Sequence, residues 1–141
     1  MTRKNGSRGN GLDAEKREQI IFHRSYQPEN YKQGGICQFE GISLQAIREL
    51  LEAGFIQPDD YMNASPTVQE FTDFVEAHDP DNWSIHGYAV SPKRDDNRVT
   101  IEGLRSNKPL SKDDLIDFLQ YFRYADILDA EKGEPVYCWY D

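Results

Sequence analysis

The sequence predicts an α+β domain: a small, mainly antiparallel sheet of three to four strands with about three helices packed on one face. Three observations carry this reading. Segments of period-two and of helical apolar spacing follow one another in the order β-α-α-β-β-α-β. Two of the strands are neighbours in sequence, joined by the turn-rich link Ser91-Pro92-Lys93-Arg94-Asp95-Asp96-Asn97, as in a hairpin. The 141 residues fit one domain, and with 38% hydrophobic and 12% aromatic residues its core must lean on rings.

Residues 1–11 are rich in Gly, Asn, Arg and Lys and hold no apolar residue after Met1, so a disordered basic tail is expected. Residues 12–35 read as an arm or loop. Its one apolar cluster, Ile20-Ile21-Phe22, can form a short helix, while Pro28 and Gly34-Gly35 mark a loop. The single α+β domain is placed at residues 36–141. It opens on a short strand, Ile36 to Glu40, ended by Gly41. Ser43 then caps a helix whose Leu44, Ile47, Leu50 and Leu51 share one face, with Gly54 as its left-handed stop.

A second helix starts either at Ser65-Pro66, with proline at the first helical position, or at the capping box Thr67…Glu70. Val68, Phe71 and Val75 form its inner face and His78 closes it. Trp83 to Val90 and Arg98 to Leu104 form the hairpin. If Val90 pairs with Arg98, then Tyr88 faces Thr100, His86 faces Glu102 and Ser84 faces Leu104. A third helix begins at Ser111 and buries Leu115, Phe118, Leu119 and Phe122. The last strand, Val136 to Tyr140, is apolar or aromatic on both faces, which places it centrally in the sheet.

The hairpin register puts Ser84, His86, Tyr88, Thr100 and Glu102 on the outer face, and these five residues are the candidate binding face. Directly opposed side chains lie about 4.5–5.5 Å apart at Cβ. A His–Glu pair at that distance can act as an oriented base, and more commonly it is a cross-strand ion pair. That reading expects the neighbouring carboxylate to raise the His86 pKa. No catalytic residue is assigned. No cofactor is expected, because there is no GxGxxG or P-loop in a βαβ context. No metal is expected either: His23, His78 and His86 form no HExxH or paired-Cys spacing, and the calcium-loop frame from Asp59 has Tyr61 and Ala64 where a ligand and a glycine belong. Cys37 and Cys138, a hundred residues apart, read as reduced core thiols.

Charge is divided unevenly. Residues 36–141 carry nine Lys/Arg against twenty-one Asp/Glu, within a chain of net charge −9. Such a body repels nucleic acid and anionic membranes, and a basic protein is its natural complement. Tyr88, Tyr137 and Trp139 could stack bases from an open sheet face, but that use needs a positive groove. No apolar run follows Met1 and none is long enough to span a bilayer, so the expected compartment is the cytoplasm.

The function expected from these features is a small non-enzymatic protein acting by protein–protein interaction, as an inhibitor, immunity-type or regulatory module. The alternatives are a small-molecule enzyme or binder centred on His86 and Glu102, and an acidic mimic of nucleic acid.

Overall fold

The computed structural model describes the backbone of residues 11–22 and 29–141 and the side chains of 14–22 and 31–141. The expectation of a disordered tail therefore lies outside the described residues, save for Gly11, where the first helix begins. Among the described residues, five antiparallel strands form one sheet: β1 (Ile36–Ile42), β2 (Trp83–Val90), β3 (Val99–Ser106), β4 (Ile127–Asp129) and β5 (Tyr137–Trp139). Their order is β1-β2-β3-β5-β4. The expected three to four strands become five because β4, with three residues and no periodic pattern, adds an edge beyond β5. The final strand is internal, between β3 and β4, as its two apolar faces require.

The helices α3 (Leu44–Glu52), α4 (Val68–Ala77) and α5 (Lys112–Tyr121) correspond to the three expected. Ser43 Oγ accepts the Ala46 amide at the start of α3, and Gly54 takes φ +83° just beyond its end, where an L side chain would be strained. At α4 the structure selects the capping box. Thr67 Oγ1 accepts from the Glu70 amide at 3.1 Å and Glu70 Oε1 accepts from the Thr67 amide at 2.9 Å.

Helices and sheet share one apolar cluster. Leu44, Ile47 and Leu50 of α3, Phe71, Phe74 and Val75 of α4, and Phe118 of α5 with Phe122 just beyond it meet Phe39, Trp83, Ile85, Ala89, Ile101, Leu104 and Cys138 of the sheet. Strand pairings place those sheet residues on a single face. Rings dominate the centre: Phe118 lies 5.8 Å from Trp83 and 5.1 Å from Phe122, and Phe74 lies 4.9 Å from Phe122. Such pairs add about 0.5–1.5 kcal/mol each beyond the area they bury. One expectation for α5 fails. Leu119 is 38% exposed and Leu115 only partly buried, so the inner stripe of α5 narrows to Phe118 and, at its end, Phe122.

The described residues of the N-terminal stretch form two helices, α1 (Gly11–Phe22) and the four-residue α2 (Glu29–Lys32). Ile20, Ile21 and Tyr31 join the main core. Arg17 is 1% exposed. It donates to the carbonyls of Val90 (2.8 Å) and Asn97 and to the Tyr31 hydroxyl (2.7 Å), and its Nε pairs with Glu18 at 3.3 Å. A buried guanidinium is tolerated because its donors are met by fixed acceptors and a carboxylate. The arm is thus tied to the turn of the hairpin. Among the described residues no helix is long and apolar enough to cross a membrane.

Candidate functional site

The hairpin register differs from the expected one. Tyr88 faces Thr100 and Gly87 faces Ile101, but His86 then faces Gly103, Ile85 faces Leu104 and Ser84 faces Arg105. The pairings of His86 with Glu102 and of Ser84 with Leu104 are therefore corrected. Glu102 is the extra residue of a β-bulge, which restores Leu104 to the core face and leaves Gly103 under the imidazole. Gly103 must lack a side chain: a Cβ there would lie 2.0 Å from the Cys138 carbonyl oxygen and 2.6 Å from His86 Nε2.

The five candidate residues divide into three environments. His86 and Glu102 line the same small hollow, of about 60 Å³, with Gln38, Glu40, Tyr137 and Trp139. Tyr88 and Thr100 lie further along the hairpin. The Tyr88 hydroxyl donates to Met62 Sδ at 3.4 Å and accepts from Arg98 Nη2 at 2.8 Å. Ser84, at the other end, donates to Asn107 Oδ1 at 2.9 Å. The expected outer-face set is thus partly covered: Tyr88 and Thr100 face each other at one place, His86 and Glu102 line a hollow at another, and Ser84 stands apart.

Those two do not pair. His86 stacks on Tyr137, with centroids 4.9 Å apart and planes 13° from parallel. Its Nε2 is buried without an aligned hydrogen-bond partner. Burial lowers its pKa to about 4, and Arg105 adds to the effect, while the Cys138 carbonyl and Glu40 oppose it without prevailing. The expected rise is therefore overturned: desolvation outweighs any carboxylate, and Glu102 is not among the groups acting on the ring. Burial likewise raises the Glu102 pKa, partly offset by a hydrogen bond from Trp139 and reinforced by Asp141. The hollow holds a neutral imidazole at neutral pH, flat against a phenol ring.

A second group of exposed side chains was not singled out by the sequence. Of the large apolar side chains exposed among the described residues, Ile116, Leu119, Tyr121, Tyr124 and Ile127 fall in one stretch of twelve, and Tyr124 is 74% exposed. Ile116 and Leu119 are one turn apart on α5. Asp113, Asp117, Asp126, Asp129 and Glu131 are exposed in and just beyond the same stretch, as are Lys112, Lys132 and Arg123, whose guanidinium lies 4.6 Å over the Tyr124 ring. Beside it runs a groove of about 400 Å³ between α4 and α5, lined by Phe74, His78, Asp117, Gln120, Tyr121 and Arg123. A usable sequence signal existed: the apolar positions 115, 116, 118, 119 and 122 span too wide an arc of α5 for one buried stripe. The chain matches no protein-family model, no curated protein and no solved structure.

Proposed function

We propose that this protein is a non-enzymatic interaction module that docks a basic protein partner on the surface formed by α5 and β4. The observation that carries the reading is the concentration of exposed Ile116, Leu119, Tyr121, Tyr124 and Ile127 among exposed carboxylates. Interfaces centre on aromatic and aliphatic anchors with a polar rim, and here exposed carboxylates outnumber the exposed cations Lys112, Arg123 and Lys132, an excess that speeds association with a partner of the opposite charge. The small hollow at His86 supports the alternative enzyme or small-molecule reading less well, since about 60 Å³ is far below the roughly 300–1,000 Å³ of ligand pockets. The same acidity argues against direct binding of nucleic acid or an anionic membrane.

Affinity capture from the native host, with wild type and Leu119→Asp side by side, tests the proposal. A basic protein retained by wild type, released as salt rises and lost in Leu119→Asp is the expected result. A partner retained equally by both proteins would overturn the assignment of the surface, and a co-purifying metabolite in place of a protein would favour the enzyme reading. Release of the captured partner by duplex DNA would instead favour the nucleic-acid mimic.

A further inference from the structure

The geometry points to a divalent metal site, of the zinc class, formed by His78, Asp114 and Asp117 at the edge of the α4–α5 groove. One ligand atom from each of the three lies within 4.8 Å of the other two. His78 Nε2 and Asp117 Oδ2 are 3.0 Å apart. Two ligands bound to one zinc-class ion at about 2.0–2.2 Å, at tetrahedral to right angles, stand about 2.9–3.5 Å apart, so this pair is already at bridging distance.

The ring of His78 is held from behind. Its Nδ1 donates to the Phe74 carbonyl at 2.7 Å, which leaves Nε2 as the ring atom that faces the carboxylates; a proton on Nε2 makes its 3.0 Å contact with Asp117 a hydrogen bond, and a bound ion would take that proton's place. The Phe74 ring stacks on it at 4.0 Å and restricts its rotation. The backbone beside it is fixed too, because the Trp83 indole donates to the His78 carbonyl at 2.7 Å. This support from outside the cluster is what a metal-ligating imidazole receives when the position is built to bind. Asp114 and Asp117 stand three residues apart on α5, hence on one side of it. A protonated His78 could neutralise one of the two carboxylates. A divalent ion with a neutral imidazole and both carboxylates leaves no net charge.

One nitrogen and two oxygens leave coordination positions open, toward the groove lined by Gln120, Tyr121 and Arg123. Imidazole with carboxylate, and no thiolate, selects zinc-class ions over calcium or copper(I). Three ligands from two elements also explain why no local spacing motif revealed the site: His78 ends α4, and the aspartates are on α5.

The test is titration of the metal-stripped full chain with Co²⁺, followed by visible absorption, and with Zn²⁺ by calorimetry. Wild type is compared with Asp114→Asn, Asp117→Asn and His78→Gln. Far-UV dichroism checks that each variant is folded, and the two aspartate variants preserve the test if His78→Gln does not fold. One equivalent should bind, each folded variant should bind about tenfold or more weakly, and Co²⁺ should broaden amide NMR signals around His78 and the first turns of α5. The absence of saturable binding at millimolar metal would overturn the inference. So would undiminished binding in both Asp117→Asn and Asp114→Asn, which would put the ion elsewhere.

Discussion

The His86 ring should make the fold less stable in acid, and the size of that effect follows from its burial. The gap between about 6.5 for an imidazole in the unfolded chain and about 4 in the fold corresponds to about 3 kcal/mol, at ~1.36 kcal/mol for each factor of ten in proton affinity. At 7% exposure little of this is lost to solvent screening. The folded pKa is depressed, so the unfolded chain takes the proton first. The stability tied to neutral His86 is fully present above about pH 6.5, falls as pH drops toward about 4, and falls no further below that. Glu102 works in the opposite sense, because a raised carboxyl pKa gives stability at low pH that is lost as pH rises. The effect must therefore be read as a difference. Urea unfolding of wild type and His86→Gln across this range should show the wild type losing about 3 kcal/mol more on acidification. An NMR titration that finds the His86 ring at or above 6.5, or parallel pH profiles for the two proteins, would refute the reasoning.

Phe118→Ala should cost about 3–5 kcal/mol in denaturant melts, since the fully buried ring touches Trp83, Phe74 and Phe122 and its loss leaves a cavity. Gly103→Ala should prevent β3 and β5 from pairing as they do, because the new Cβ would meet backbone at 2.0 Å; a variant that melts like wild type would disprove the bulge geometry. Arg17→Met should destabilise by about 3 kcal/mol, as the Val90 and Asn97 carbonyls lose their buried donor and Glu18 keeps only the Tyr31 hydroxyl in place of its cation. Hydrogen exchange would show the loss as faster exchange in the hairpin turn, and unchanged exchange there would show that the arm does not secure it.

Local signals made the α+β class and most of its elements legible. The caps at Ser43 and Thr67, the left-handed stop at Gly54 and the doubly apolar last strand each act through neighbours in sequence, so sequence carries them. What failed depended on distance. Glu102 continues the polar alternation of β3, so nothing within that strand demanded a bulge. The hint was Gly103 followed by Leu104, a glycine at a place of close backbone approach with an apolar residue out of phase. Burial of His86 depends on Tyr137, fifty residues away, and that burial reversed the sign of its pKa shift. Arg17 carried no signal in the sequence, because two of its acceptors, the Val90 and Asn97 carbonyls, lie on a hairpin more than seventy residues on. The outer-face site was half legible: His86 and Glu102 do share a hollow, but as neighbours of two aromatic rings rather than as a pair. Leu119 was misplaced because helical spacing gives the arc of apolar residues without saying how much of it the sheet covers.

The most direct test of the central claim is site-specific photocrosslinking in native extract, with a photoreactive residue in place of Leu119 and, separately, in place of Gln38 on the outer sheet face. Crosslinking to one basic protein from position 119, diminished by salt and weak from position 38, is the predicted result. Crosslinks that arise from position 38 and not from position 119 would contradict it and move the binding surface to the sheet.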